Sequence, residues 1–348
     1  MLKGENKLQE LPLVDIIIPH YNGVEILHKC LGTLEKTTYP NYRVTIVDNG
    51  TTDESIRLAT NNYKWASVVS PGENLGYAGG CNFGFRKTDG KYVVFLNNDT
   101  EQESDWLLKL VEFAEMNDQA GALQPKILSI QARNRGERIF DYAGAAGGLI
   151  DNLGYPYSRG RIFDTLEPDQ GQYDNISEIF WASGTAMFMR RSVGESIGLF
   201  DEDFFAHMEE IDLCWRMLLA GYKIYAVPQS VVYHHGGATL PMGNPRKVYL
   251  NHRNNIVMLI KNRSLGRLML TLPIRIMLEL LSMLYYQKKQ GKELAITVFR
   301  ALGWNMTHVR NTWGKRRQVQ ALRKRSDREI FENLENYVIL KKMMGVER

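Results

Sequence analysis

The chain of 348 residues is longer than a single hydrophobic core usually serves, so we expect one large domain with an appendage, or two domains. Its 44% hydrophobic and 24% charged residues are ordinary for a soluble globular protein. Three widely spaced cysteines argue against a disulfide framework and a zinc site, and a polar N-terminal stretch argues against a secretory signal.

Charge is distributed unevenly along the chain. Residues 245–348 hold 22 Lys+Arg against 7 Asp+Glu, whereas the residues before them hold 21 against 32. A basic region behind an acidic body predicts contact with an anionic surface, or a merely solvated basic tail. Composition leaves both interpretations open.

Short apolar runs alternate with helical patterns over the first 116 residues. We predict strands at 14–19, 43–47, 67–70 and 92–96. A helical pattern follows each run, and the last one covers 106–116. This alternation predicts an α/β fold with a doubly wound parallel sheet.

Polar side chains follow two of these predicted strands. Asp48 ends the second strand, and Asn97, Asn98 and Asp99 end the fourth. Because an open parallel sheet binds its ligands at the carboxyl ends of its strands, a carboxylate there is placed to hold a cation or a phosphate. A plain Asn/Asp turn is the alternative.

A glycine-rich segment at 74–82 follows the third strand and leads into a helix. Its glycines allow a ligand to approach the backbone and the helix N-terminus closely. They match neither a P-loop nor GxGxxG after the first strand, which argues against a dinucleotide-dependent oxidoreductase.

The pattern is less regular later in the chain. Residues 121–177 predict loops with short strands, 181–189 predict a strand entering the core, and 226–233 lead to His234 and His235. Either histidine can be a metal ligand or a hydrogen-bonded core residue.

An acidic pair, Glu209 and Glu210, begins a predicted helix that carries Asp212 and ends at Gly221. The pair can serve as favourable N-terminal charges, or one carboxylate can take a proton from an attacking hydroxyl. With the aspartates and a histidine, these groups also suit Mg²⁺ or Mn²⁺ bridging a diphosphate.

Together these segments resemble the family 2 glycosyltransferases, which have the GT-A fold. The resemblance is carried by VDIIIPHYN at 14–22, IVDNGTTD at 46–53, NLGYAGGCN at 74–82, NND at 97–99 and EEIDLCWR at 209–216. It implies a Rossmann-like, mostly parallel sheet and a metal-dependent inverting transferase of the hexosyltransferase type. The NNDT form is similar to the rhamnosyltransferase-like branch.

The resemblance also implies roles for individual residues. Glu210 matches the general base, with Glu209 as a competitor and Asp212 beside them, while Asp99 and His234 match ligands of Mg²⁺ or Mn²⁺. The implied nucleotide-sugar pocket comprises Pro19, Tyr21, Asn22, Asp48, Asn74, Gly76, Gly79, Asn82, Asn97, Asn98, Trp181 and Gly184.

The implied reaction moves a sugar from dTDP-rhamnose or a UDP-sugar to a hydroxyl of a saccharide or lipid-linked acceptor in cell-envelope polysaccharide synthesis. The sequence departs from the family pattern at Asn97, where the metal motif usually has Asp, and in having Glu-Glu where Glu-Asp is commoner. A catalytically weak or inactive nucleotide-sugar-binding protein is therefore the alternative.

We expect a catalytic domain at 1–262 and a basic, amphipathic helical region at 263–348. Residues 268–286 are apolar except for a narrow polar stripe that includes Arg275 and Glu279, so spanning a membrane would bury both charges. Lying on an anionic membrane surface at the inner face, packing on the domain, and pairing with a second subunit stay open. No nucleic-acid recognition module is visible, so we expect a cytoplasmic protein that binds no nucleic acid.

Overall fold

Nine strands form the central sheet of the computed structural model, which describes residues 11–162, 165–236, 243–332, 334 and 337–338. The first half alternates strand and helix. Its elements are β1 (Val14–His20), α1 (Val24–Leu34), β2 (Tyr42–Asp48), α2 (Ser55–Asn62), β3 (Ala66–Val69), α3 (Gly76–Arg86), β4 (Tyr92–Leu96), β5 (Thr100–Gln102) and α4 (Trp106–Met116). The order β3-β2-β1-β4, all parallel, confirms the predicted sheet. The expectation for the polar N-terminal stretch concerns residues 1–10, which lie outside the described residues.

The second half of the chain completes the sheet and adds a small antiparallel one from β7 to β10. Its elements are β6 (Ala120–Ser129), α5 (Ile130–Arg133), β7 (Gly148–Ile150), β8 (Pro156–Ser158), β9 (Arg161–Ile162), β10 (Thr165–Leu166), β11 (Ser177–Glu178), β12 (Ala186–Arg190), α6 (Arg191–Ile197), a 3₁₀ turn (Glu202–Phe204), α7 (Glu209–Leu219) and β13 (Lys223–His234). The acidic pair begins α7, and Gly221 follows its end with a φ of 97°, as predicted.

The strand β6 is longer than the short strands that we predict among loops over 121–177. Nine of its ten residues are buried, so it lacks the alternation that marks a half-exposed strand. Its polar residues find partners far along the chain. Gln124 donates to the Gly144 carbonyl at 3.0 Å, and Lys126 pairs with Asp169 at 2.9 Å.

The strand that we predict at 181–189 is shorter than expected. Only β12 is a strand, and it lies antiparallel between β4 and β6. β13 runs parallel to β6, and its last residue, His234, pairs with Thr100 of β5. This pairing brings the end of β13 beside Asp99.

Five helices follow the sheet in the part of the chain that the structure describes. They are α8 (Pro245–Asn262), α9 (Leu265–Lys289), α10 (Lys292–Thr307), α11 (Val309–Ala321) and α12 (Asp327–Phe331). The Phe331 ring lies 5.6 Å from the rings of both Phe180 and Trp215, in the largest hydrophobic cluster. The expected boundary between 1–262 and 263–348 therefore falls inside a shared core.

Part of the predicted basic region at 263–348 serves the fold. Arg316 donates to the carbonyls of Ile260 and Arg263 at 2.6 Å, and Arg323 donates to the Asn262 carbonyl. These cations satisfy carbonyls at the C-terminal end of α8, where the helix dipole favours positive charge. They are consequently not free to bind lipid head groups, which corrects that part of the expectation.

Candidate active site

His234 lies between two carboxylates at the end of β13. Its Nε2 atom is 3.2 Å from Asp99 Oδ1, and its Nδ1 atom is 2.7 Å from Asp141 Oδ1. Burial alone would lower the pKa of His234, but the charges of Asp99 and Asp141 outweigh it and raise the pKa to about 10. The structure thus brings the two predicted metal ligands together and adds Asp141.

This pair fits a divalent cation. Asp99 Oδ1 is buried and accepts no hydrogen bond from the described residues, and it faces an imidazole nitrogen. A carboxylate oxygen and an imidazole that has released its Nε2 proton are a donor set that Mn²⁺ accepts. Asp141 holds the other ring nitrogen, as a carboxylate commonly does behind a metal-bound histidine. The described residues supply no group of three ligands, so a cation here would need oxygens from a diphosphate or water.

The loops after β1 and β2 are tied together by their own side chains. Asn22 donates to Thr52 Oγ1 at 3.1 Å and accepts from the Thr52 backbone N–H at 2.9 Å. Asp48 accepts from the Thr51 backbone N–H at 2.9 Å, so it also stabilises its own turn. Tyr21 stands exposed beside these loops, where a flat ligand can reach its ring.

His20 connects these loops to the predicted metal motif. Asn98 Nδ2 lies 2.7 Å from His20 Nδ1, and Ser55 Oγ lies 2.7 Å from His20 Nε2. Burial lowers the pKa of His20 to about 4, so the ring is neutral near pH 7 and can bridge two polar groups. Pro19, half-buried, precedes it at the end of β1.

The glycine-rich segment turns tightly into α3. Asn74 Oδ1 accepts from the Gly76 backbone N–H at 2.9 Å. Gly76 has a φ of 70°, and a Cβ there would collide with the Phe205 carbonyl oxygen. A Cβ on Gly79 would come 2.6 Å from Leu75 Cβ. Both glycines are therefore required by packing, independent of any ligand.

Two predicted pocket residues have their polar groups engaged by the chain. Asn82 donates to the Phe200 carbonyl at 2.9 Å and accepts from the Phe200 N–H at 3.2 Å. Trp181 Nε1 donates to the Leu149 carbonyl at 2.8 Å, and its ring is buried. Their direct contact with a donor stays a prediction, while their structural roles are visible.

A short turn before β12 connects the metal motif to α3. The Asn97 N–H donates to the Thr185 carbonyl at 2.9 Å, and Tyr77 O–H donates to the Gly184 carbonyl at 2.6 Å. Burial first, and then neighbouring acidic groups including Glu209, raise the pKa of Tyr77 well above its usual value. The turn therefore contacts both Asn97 of the metal motif and Tyr77, whose hydroxyl is sensitive to the charge of the acidic pair.

The segment before the acidic pair has an unusual backbone. Phe205, His207 and Met208 have positive φ angles of 63°, 69° and 72°, in the region that non-glycine residues rarely adopt. Asn254 of α8 holds this segment and the turn before it, because its Nδ2 shares two hydrogens among the carbonyls of Phe204, Ala206 and His207 at 2.7–3.0 Å. Such strain persists only where the surroundings enforce it, and it is commonest at functional sites.

Glu209 and Glu210 experience different environments. Burial first, and then the charge of Glu210, raise the pKa of Glu209 well above its usual range. Burial raises the pKa of Glu210 to about 7, against opposing backbone hydrogen bonds. Both residues have a buried Oε2 atom without a hydrogen-bond donor among the described residues. Both carboxyl groups therefore bind a proton more tightly than usual, and the pair resists carrying two negative charges at once.

Asp212 does not belong to this pair in function. Its side chain is fully buried and accepts from Arg216 Nε at 3.0 Å, Lys261 Nζ at 2.9 Å and Asn262 Nδ2 at 2.8 Å. With its oxygens so occupied, it anchors α7 to α8. The prediction that placed Asp212 among the catalytic groups is corrected accordingly.

The sequence did not reveal Asp141, His20 or Asn254 as site residues. Asp141 lies in a region without periodicity, and it becomes relevant only because a bridge pairs residues 128 and 140 near β13. Asn254 lies in the middle of a helix, more than 40 residues beyond the loop that it holds. His20 was inside a quoted motif, and its position as the last residue of a buried strand was the available signal.

Residues 15–142 match the model of the glycosyl transferase family 2. An N-acetylglucosaminyl-diphospho-decaprenol L-rhamnosyltransferase of Mycobacterium tuberculosis is 26% identical over 275 residues, which cover 73% of this chain and 85% of that protein.

Two solved structures share the fold. GalNAc-T7 with UDP, GalNAc and Mn²⁺ superposes with a TM-score of 0.56 at 15% identity, over 73% of this chain and 48% of that one. A mannosyltransferase of Pyrobaculum calidifontis with GDP-Man and Mn²⁺ gives a TM-score of 0.51 at 15% identity, over 90% and 86%.

The mostly parallel sheet and the loops at its carboxyl edge have the GT-A fold of these two structures. The family match and the relative from M. tuberculosis identify the class as a glycosyltransferase. Within that class, residues 15–142 match glycosyl transferase family 2, and the chain is similar to a rhamnosyltransferase. The predicted family and fold are thereby confirmed.

Proposed function

We propose that this glycosyltransferase uses a divalent cation and transfers a sugar, with inversion, from a nucleotide-diphosphate donor to an acceptor hydroxyl. The observation that carries the proposal is Glu210. Its buried Oε2 lacks a donor, and its pKa of about 7 suits a general base at neutral pH.

The donor would lie along the carboxyl edge of the sheet. Asp48 and the loops after β1 and β2 are placed to hold the nucleotide. Asp99 and His234 would hold Mg²⁺ or Mn²⁺, with Asp141 fixing the imidazole. When bound, the cation neutralises charge that develops on the leaving diphosphate.

Glu210 would then accept the proton of the acceptor hydroxyl as its oxygen attacks the anomeric carbon. Attack comes from the face opposite the diphosphate, so the configuration inverts. The strained segment before α7 aims the acidic pair, while Glu209 stays protonated and limits negative charge beside the base.

The donor and acceptor classes come from relatives. The M. tuberculosis relative is named for transfer of L-rhamnose to N-acetylglucosaminyl-diphospho-decaprenol. We accordingly propose dTDP-rhamnose or a UDP-sugar as donor, a saccharide or lipid-linked acceptor in cell-envelope polysaccharide synthesis, and a cytoplasmic location with peripheral contact at the inner face of the membrane.

A thermal-shift screen of UDP-, dTDP- and GDP-sugars, with and without Mn²⁺, tests the donor site. We expect one sugar nucleotide to stabilise the wild-type protein only with Mn²⁺, and Asp99→Asn to abolish that stabilisation. Asp174→Asn, which makes the same charge change at an exposed carboxylate, is the matched control. Stabilisation that does not require metal would exclude the proposed cation site.

A further inference from the structure

An ordinary surface helix buries its apolar side, whereas the helix α9 exposes it. Its apolar side faces outward, with Met269 68%, Leu270 65% and Leu281 49% exposed. The exposed apolar side chains recur at helical spacing, which makes a continuous stripe: Leu270, Ile274, Met277, Leu281 and Leu284. An apolar stripe of this length on a free surface marks a contact site.

The polar side of α9 is fixed against the catalytic domain. Arg275 and Glu279 are 1% and 2% exposed and form an ion pair at 2.9 Å. Arg275 also donates to the Leu153 carbonyl at 2.8 Å, and His252 of α8 bonds the other oxygen of Glu279. Turning the apolar stripe inward would break all of these contacts.

A basic rim borders the stripe. Over 265–310 the exposed charged residues are Glu293 and six cations: Arg267, Lys288, Lys289, Lys292, Arg300 and Arg310. The neighbouring helix α10 adds exposed Ile296 and Phe299 to the apolar surface. Apolar side chains with a cationic rim complement the acyl boundary and phosphates of an anionic bilayer.

Two other arrangements fit less well. α9 is long and apolar enough to cross a membrane, but a span would pull the Arg275–Glu279 pair from its partners into hydrocarbon. A second copy docked on the same face would bring one basic rim against another. We propose that α9 and α10 form a docking surface that lies in the plane of an anionic lipid bilayer.

This inference gives a surface to the membrane contact of the proposed function, and its test requires neither donor nor acceptor. Full-length protein is floated with phosphatidylcholine vesicles containing about 30% phosphatidylglycerol. Wild type should float, and Leu270→Gln/Leu281→Gln should partition about tenfold less, since binding scales with buried apolar area. The matched control is Met116→Gln/Ile176→Gln, which alters two exposed apolar residues elsewhere.

Nucleotide-induced thermal shifts on the same variants separate failure of this surface from failure of the donor site. If Leu270→Gln/Leu281→Gln does not fold, Lys288→Gln/Lys289→Gln should still weaken flotation on the anionic vesicles. Equal flotation of the stripe variant and wild type would overturn the proposal. A lipid-free dimer that the stripe variant converts to a monomer would overturn it too, in favour of a second copy.

Discussion

Adjacent carboxyl groups in a buried site seldom have equal pKa values. The proposed tasks of Glu209 and Glu210 differ because their environments differ. Burial raises the pKa of both carboxyl groups, that of Glu209 well above its usual range and that of Glu210 to about 7. Protonation of one partner relieves repulsion that would otherwise oppose ionisation of the other. Glu210 can therefore act as a base without a permanent second charge beside it.

We expect Glu210→Gln to lower kcat by about 10²–10⁴-fold, because the amide cannot accept the acceptor's proton. Donor-induced stabilisation should persist in this variant. Glu209→Gln is the matched control and should retain much more activity, since Gln resembles the neutral acid. Full turnover by Glu210→Gln in a steady-state assay would disprove the assignment.

The pH dependence follows from the same pKa. The base must be deprotonated, and its pKa is raised to about 7, so kcat/KM should rise through that pH and fall as pH drops. Below the pKa the decline should approach about tenfold for each pH unit. A pH–rate profile at saturating Mn²⁺ measures this, and a flat profile in mildly acid buffers would contradict it.

Asp141 is a positioning residue for His234. Asp141→Asn keeps the shape but removes the negative charge 2.7 Å from His234 Nδ1. We expect the apparent Mn²⁺ affinity to fall about 10–100-fold. Thermal shifts across a Mn²⁺ titration with fixed donor give the affinity, and an unchanged midpoint would remove Asp141 from the site.

Among the elements, α8 links the C-terminal helices to the catalytic segment. Asn254→Ala removes the donor to the carbonyls of Phe204, Ala206 and His207. Asn255→Ala removes a hydrogen bond to the Gly154 carbonyl and a longer one to the Met208 sulfur. We expect kcat to fall about tenfold or more in the first variant, because a misaimed base is costly.

The Asn255→Ala variant, next along the helix, should stay closer to wild type in kcat. We would compare kcat from steady-state kinetics with the free energy of unfolding in urea. This comparison separates an effect on the orientation of Glu210 from an effect on stability. Equal losses of kcat in both variants would mean that Asn254 only supports the fold.

Among the helices and strands, the sequence was informative where the hydrophobic period agrees with the burial of the side chains. β1 to β4 and α4 follow from apolar runs and turns, and the ligands at the strand ends follow with them. The length of β6 was missed because Gln124 and Lys126 acquire partners only in the folded chain. The sequence did not determine which side of α9 faces the catalytic domain, because that side is set by Arg275 and its contacts far along the chain.

Over the whole molecule, the C-terminal helices complete the catalytic core. Phe331→Ala should destabilise the protein by about 3–5 kcal/mol, since the ring packs against Phe180 and Trp215. Phe299→Ala, at an exposed position, is the control and should change the free energy of unfolding little. Chemical denaturation measures both, and equal stabilities would imply a separable tail.

The buried contacts among Arg275, Glu279 and His252 also restrict the orientation of the protein on a membrane. A flexible anchor would let the enzyme tumble above a membrane, but a helix bonded rigidly to its domain permits a single tilt. Docked through α9, the catalytic cleft would stand at a fixed height over the lipid. The enzyme would then reach acceptor sugars that lie at one distance from the bilayer. It would not reach sugars held farther from the bilayer or closer to it.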